Sequence, residues 1–282
     1  MQCAWDSFIG ILPHWMRSDV DQKGRHSLQE LRLRVDKPPE LITSEGSYRL
    51  PRPVGLSDLE FCINTASRYS PWSAQSARSG YITAMGGHRI GICGQAAMVD
   101  SKMVGIRTLS SICLRVARDF PGIAASAKNL PGSILILGSP GSGKTTLLRD
   151  LIRMRSNLGP GSISVVDEKG EIFPADTKKY FFDTGPRTDV LSGCTKAQGI
   201  DAVLRNMGPE TIAVDEITAQ EDCVALANAL WCGVQLLATA HAASKKELMS
   251  RKLYAPIVES GLFNNLLILR TDKSWYTERM VV

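Results

Sequence analysis

Three observations predict that this 282-residue chain is an α/β protein with a mostly parallel sheet, preceded by a small α+β domain. A glycine-rich loop joins an apolar strand to a helix around residues 134–152. Beyond it, short apolar runs alternate with segments of helical periodicity, which is the pattern of a parallel sheet. Ahead of it, runs alternating in period two are separated by turn residues, as in a hairpin-rich sheet. The expected domains are residues 1–125 and 126–282, and the Pro- and Gly-bounded segment 121–132 is the expected joint.

The first residues read as an amphipathic helix. An early acid, no basic start and no small-residue cleavage site argue against a secretory signal. Leu31-Arg32-Leu33-Arg34-Val35 alternates apolar and basic residues, as a half-exposed strand does, and Pro38-Pro39 ends it. Leu41-Ile42-Thr43 predicts a short strand and Ser44–Ser47 a turn; residues 56–69 have helical spacing. Gly80–Ala84, Gly86-Gly87 and His88–Cys93 predict a β-hairpin, and Ile112–Val116 a further strand. In the second half, strands are expected at Ser162–Val166, Thr211–Val214, Val234–Thr239 and Asn265–Leu269, with an edge strand from Trp275 to Val281. Helices are expected at Lys144–Arg155, Lys196–Asn206, Ala219–Leu230 and Lys245–Tyr254.

The loop Gly138-Ser139-Pro140-Gly141-Ser142-Gly143-Lys144-Thr145-Thr146 fits the phosphate-binding pattern Gly-x-x-x-x-Gly-Lys-Thr. Its glycines let backbone N–H groups turn inward toward a phosphate at the positive end of the following helix. Lys144 is placed to reach the β- and γ-phosphates of ATP, and the Thr145 hydroxyl to hold Mg²⁺. A bound Mg–nucleotide needs an acid at a nearby strand end, and Ile212-Ala213-Val214-Asp215-Glu216 supplies two. Asp215 is placed to contact the metal through water and Glu216 to orient or deprotonate the attacking water. The interval between Lys144 and Asp215 leaves room for one strand between the two motifs. That is the arrangement of RecA-like P-loop (ASCE) ATPases. No Asn-Lys-x-Asp segment is present to read guanine.

Two further clusters end strands on the same sheet. Val166-Asp167-Glu168-Lys169-Gly170-Glu171 brings three acids, and Thr239-Ala240-His241 a histidine placed to sense the γ-phosphate. Arg205 precedes the acidic strand and is a candidate to compensate phosphate charge in cis or across a subunit boundary; Arg187 is a second.

Bulk composition narrows the function classes. The net charge of +5 is small for this length, and the aromatic content of 6% offers few rings to stack bases. Seven scattered cysteines without a Cys-x-x-Cys pair suit a reducing compartment and argue against a structural zinc site. No apolar run approaches the length of a spanning helix.

The ordered series LRLRVDKPPELI, GYITAMGGHRIGICG, GSPGSGKTTLLRD, VVDEKGEI, LRNMGPETIAVDEI and TAHA resembles the stage III sporulation protein AA family. Those are ATPases of endospore-forming bacteria similar to type II and type IV secretion ATPases. The resemblance implies catalytic roles for Lys144, Glu168, Glu216 and His241, and metal contacts for Thr145, Asp215 and Asp167. It also implies a cytoplasmic ring, a hexamer, at the face of a membrane channel during spore formation, with channel membrane proteins as partners. Arg89, Arg107, Arg115 and Arg118 are then candidates for contacts between subunits. The family pattern Asp-Glu-Arg-Ser-Glu is replaced here by Asp167-Glu168-Lys169-Gly170-Glu171, which keeps the carboxylates and loses the arginine. A nucleic-acid-dependent ATPase acting on single strands is the alternative, resting on Arg32, Arg34, Arg89 and Arg107.

Overall fold

The computed structural model describes residues 1–68, 80–175 and 179–280, which divide into two compact units, Met1–Asp119 and Phe120–Val282. In the first, helices α1 (Trp5–Ile11) and α2 (His14–Gly24) precede strands β1 (Leu28–Arg34), β2 (Glu40–Thr43) and β3 (Ser47–Arg49). Helix α3 (Leu56–Ala66) and strands β4 (Tyr81–Thr83), β5 (Arg89–Val99) and β6 (Lys102–Arg115) follow. The end of the expected helix, residue 69, lies outside the described residues. The strands form one sheet in the order β3-β2-β1-β6-β5-β4, every named pair antiparallel.

Period-two patterning sorts this sheet's faces. Leu31, Leu33, Ile90, Ile112 and Leu114 are buried with Phe8, Leu12, Met16 and Leu59 of the helices. The intervening Glu30, Arg32, Arg34 and Arg115 take the other face, where Arg32 and Arg115 pair with Glu30 and Arg34 pairs with Glu40. His88 stitches the N-terminus to the sheet. Its Nδ1 accepts from the Ala117 N–H at 3.1 Å, so the neutral ring carries its proton on Nε2 and donates to the Ala4 carbonyl at 3.0 Å. Gly86, at φ +86°, leaves the room: a Cβ there would stand 2.5 Å from Ala4 Cβ and 2.9 Å from His88 Nε2.

Strands β5 and β6 run well beyond the expected hairpin and short strand. Residues 94–111 make a two-stranded ribbon closed at Asp100-Ser101, both at positive φ, as a two-residue hairpin turn requires.

The second unit opens with the expected joint, which is packed onto it. Asp150 accepts from the N–H groups of Gly122 and Ala124, and Arg155 donates to the carbonyls of Leu130 and Gly132. Its elements are β7 (Ile134–Leu137), α4 (Lys144–Leu158), β8 (Ile163–Asp167), β9 (Thr188–Ser192), α5 (Lys196–Met207) and β10 (Thr211–Val214). They continue with α6 (Gln220–Trp231), β11 (Gln235–Ala240), α7 (Lys245–Ser250), α8 (Ala255–Glu259), β12 (Asn265–Leu269) and β13 (Trp275–Arg279). The expected edge strand thus ends at Arg279, and Val281 lies outside the described residues.

The sheet order is β13-β12-β7-β11-β10-β8-β9, parallel except for β13 against β12. Strands β7, β8, β10 and β12 are buried at every position, the mark of a parallel sheet covered on both faces. One strand, β11, lies between the glycine-loop strand β7 and the acidic strand β10. Parallel register therefore carries Leu137, Ala240, Val214 and Val166 to the same edge. Among the described residues, no helix is long and apolar enough to cross a membrane.

Candidate functional site

At that carboxyl edge the glycine loop turns from β7 into α4. Gly141 and Gly143 lie at φ +74° and +104°, conformations that other residues rarely adopt. A Cβ on Gly138 would come within 2.4 Å of Ser142 Oγ, so the loop's first position must also be bare. Ser142 Oγ is buried and finds no partner among the described residues. Lys144, 7% exposed, donates to the Ser139 carbonyl at 3.0 Å and stands 3.1 Å from His241 Nδ1. Burial holds its ammonium pKa below the ordinary lysine value, and Asp215 and Glu216 partly offset this.

The acidic strand meets this loop directly. The Thr145 hydroxyl donates to Asp215 Oδ2 at 2.7 Å, and the Thr239 hydroxyl to Asp215 Oδ1 at 2.6 Å. Glu216 takes the unusual φ of +43°. Its N–H donates to Thr239 Oγ1 at 2.8 Å and to Asp215 Oδ1 at 3.0 Å, contacts that hold a backbone conformation costing about 1–3 kcal/mol. The side chain that results pairs with His241 Nε2. A chain of contacts therefore runs from Lys144 through His241 to Glu216.

Asp167, expected to contact the metal, lines the same small cleft as Asp215 and Glu216 and is also bonded within its own loop. It is 2% exposed, and its two oxygens accept the N–H groups of Glu171, Ile172 and Phe173 within its own loop. Burial outweighs these bonds and lifts its pKa to about 6. Its neighbour Glu168 pairs with Lys196 at 2.5 Å. Arg205 lies on the exposed surface of α5, paired with Asp201 one turn back. Arg187 donates to the Ser156 carbonyl at 2.9 Å, at the far end of α4 from the glycine loop. Pro140 and Thr146 occupy the loop and the first turn of α4.

Three residues of this arrangement escape sequence reading. Thr239 orients Asp215 and the Glu216 backbone, and its only signal is its place two residues before His241. Tyr254, 2% exposed, donates to the Ile217 carbonyl and accepts from the His241 N–H, both at 3.3 Å. Lys196 reaches the acidic loop only through the packing of α5.

Known proteins share both the sequence pattern and the fold. The family described as "Sporulation stage III, protein AA" matches residues 13–279. Stage III sporulation protein AA of Bacillus subtilis (strain 168) is 34% identical over 276 residues, covering 93% of this chain and 90% of that protein. Among solved structures, the ATPase DotB of Yersinia pseudotuberculosis superposes with a TM-score of 0.62 at 15% identity, over 95% of this chain and 79% of its own. The pilus retraction motor PilT, solved with bound ADP, gives 0.58 at 14% identity, over 92% and 80%. Those two likenesses establish the fold: α/β with a mostly parallel P-loop sheet, preceded in the chain by an N-terminal sheet domain.

Proposed function

The chain belongs to the stage III sporulation protein AA family, and from that premise we propose that it is a secretion-type ATPase acting in spore formation. ATP is bound between the Lys144 turn and the end of β10. The observation that carries this reading is the hydrogen bond from Thr145 to Asp215. It joins the two motifs a Mg–triphosphate site needs, and they come from strands that are not neighbours in the sheet. The bare glycines, the unpartnered Ser142 hydroxyl and the buried Lys144 ammonium also fit a polyphosphate.

Thr145 and Asp215 would hold Mg²⁺, which would supply charge neutralisation at the phosphates. Lys144 is divided between Ser139 and His241. A triphosphate draws the ammonium to itself, and His241 loses that contact while keeping Glu216 in position from Nε2. Glu216, aimed by its strained backbone and by Thr239, accepts the proton of the attacking water. Asp167 shapes the loop after β8 through its three backbone bonds and so acts on the site from behind.

The nucleic-acid alternative is weakened by Arg32 and Arg34, whose charges are taken up by Glu30 and Glu40. Assembly into a ring, a hexamer by the family resemblance, at the cytoplasmic face of a membrane through channel proteins is part of the same proposal. Arg205, exposed on α5, is then available to a neighbouring subunit. The test is a pair of variants. Lys144→Ala abolishes ATP binding, whereas Glu216→Gln binds ATP with near-normal affinity and loses turnover by about a hundredfold or more. Unchanged turnover in Glu216→Gln contradicts the assignment of the base.

A further inference from the structure

Lys196 is unusual by position before its chemistry is considered. It is the first residue of α5, at the positive end of that helix, and it is only 5% exposed. A cation there is disfavoured twice, by loss of water and by the helix dipole. The packing that puts it there is set by Gly199, one turn further along α5. A Cβ on Gly199 would stand 2.3 Å from Val166 Cγ1, so the helix start lies directly against β8. Lys196 Nζ consequently reaches Glu168 Oε2 at 2.5 Å and Asp222 Oδ2 at 3.7 Å. Asp222 in turn accepts the N–H groups of Thr218 and Ala219, in the loop that follows Glu216. One ammonium therefore connects the loop after β8 with the loop after β10. It lines the same small cleft as Asp167, Glu171, Asp215 and Glu216.

We infer that Lys196 is a positioning residue for hydrolysis, an inference that rests on the ATPase reading above. Its ammonium neutralises Glu168 and draws that carboxylate toward α5, leaving Glu216 as the glutamate joined to His241. It also fixes the loop that carries Glu216 through Asp222. Without the ammonium, Glu168 loses its ion-pair partner in a cleft that holds four other carboxylates against one remaining lysine, Lys169, and must accept a triphosphate. The glycine loop, which supplies most phosphate contacts, is untouched.

The test measures kcat and KM for Mg–ATP in wild type, Lys196→Gln, Lys196→Arg and the double variant Lys196→Gln/Glu168→Gln, with thermal melts of each. Lys196→Gln lowers kcat by roughly tenfold or more and leaves KM within about threefold. Lys196→Arg recovers most of the loss. The double variant, whose paired amides keep the contact without charge, exceeds Lys196→Gln in kcat by about fivefold; it also serves where Lys196→Gln folds poorly. A purely structural lysine gives a different result: kcat per folded molecule within twofold of wild type in Lys196→Gln, or no relief on adding Glu168→Gln. Either finding, with wild type active, overturns this role alone. A wild-type protein without turnover overturns the hydrolase reading and this role with it.

Discussion

At the scale of single residues, burial decides which charges are available and which are committed. His88 shows this most simply. Enclosed beside Phe8 and bonded to Ala4 and Ala117, its imidazole has a pKa lowered to about 4, with burial the largest cause. The folded state therefore favours the neutral ring. The unfolded chain takes up the proton first as pH falls, so His88 supports the fold fully above about pH 6.5 and loses that support toward pH 4. The shift corresponds to about 3 kcal/mol. Melts of wild type and His88→Gln between pH 7 and pH 4 check this. Wild type loses stability steeply across that window, whereas the variant is less stable at pH 7 and flatter below it. Parallel pH profiles would show that His88 does not carry the effect.

The edge proposed to bind ATP divides along similar lines. The proximity of Lys144, Thr145, Asp215 and Glu216 is legible in the chain because it follows from local geometry: a bare loop after one strand, and acids at the end of another. Tyr254 and Lys196 were not legible. Their roles depend on which helix packs against which strand, and neither belongs to a periodic pattern. Asp167 has contacts that its neighbourhood in the sequence does not reveal. An acid at a strand end can turn to its own loop as readily as to a ligand.

At the scale of elements, apolar runs and turn residues placed most of the parallel sheet, and β10 and β12 have the bounds the sequence indicates. Strand β9 was missed because Thr188–Ser192 is a half-exposed edge strand without a continuous apolar run. The long β5–β6 ribbon was missed for another reason. Its pairing shifts register beside Cys93, Gln95 and Ala97, which breaks the alternation that marks a strand. Gly94 belongs to that irregularity, since a Cβ there would meet the Thr108 carbonyl oxygen at 1.9 Å.

Gly199 provides the element-scale prediction. Gly199→Ala pushes a methyl group into Val166, whose branched side chain has little freedom to move, and costs about 1–3 kcal/mol by overpacking. Denaturant unfolding of Gly199→Ala, alone and with Val166→Ala, measures it. The second substitution recovers part of the loss if the close approach of α5 to β8 is the cause. A neutral Gly199→Ala would contradict that packing.

At the scale of the whole molecule, two sheets of different character serve different ends. The antiparallel sheet of the first unit buries one face under its helices and pairs charges on the other. The parallel sheet of the second brings four strand ends to one edge, and with them the loop, acids and histidine that this account assigns to ATP. Parallel topology sends successive strand ends to the same side and so brings together motifs far apart in sequence. The most direct measurement is a crystal structure with Mg²⁺ and a non-hydrolysable ATP analogue. The account predicts the triphosphate in the loop from Gly138 to Thr145, with Lys144 moved from His241 to phosphate and the metal between Thr145 and Asp215. An analogue bound elsewhere, or Lys144 still on His241 beneath a bound triphosphate, would contradict it.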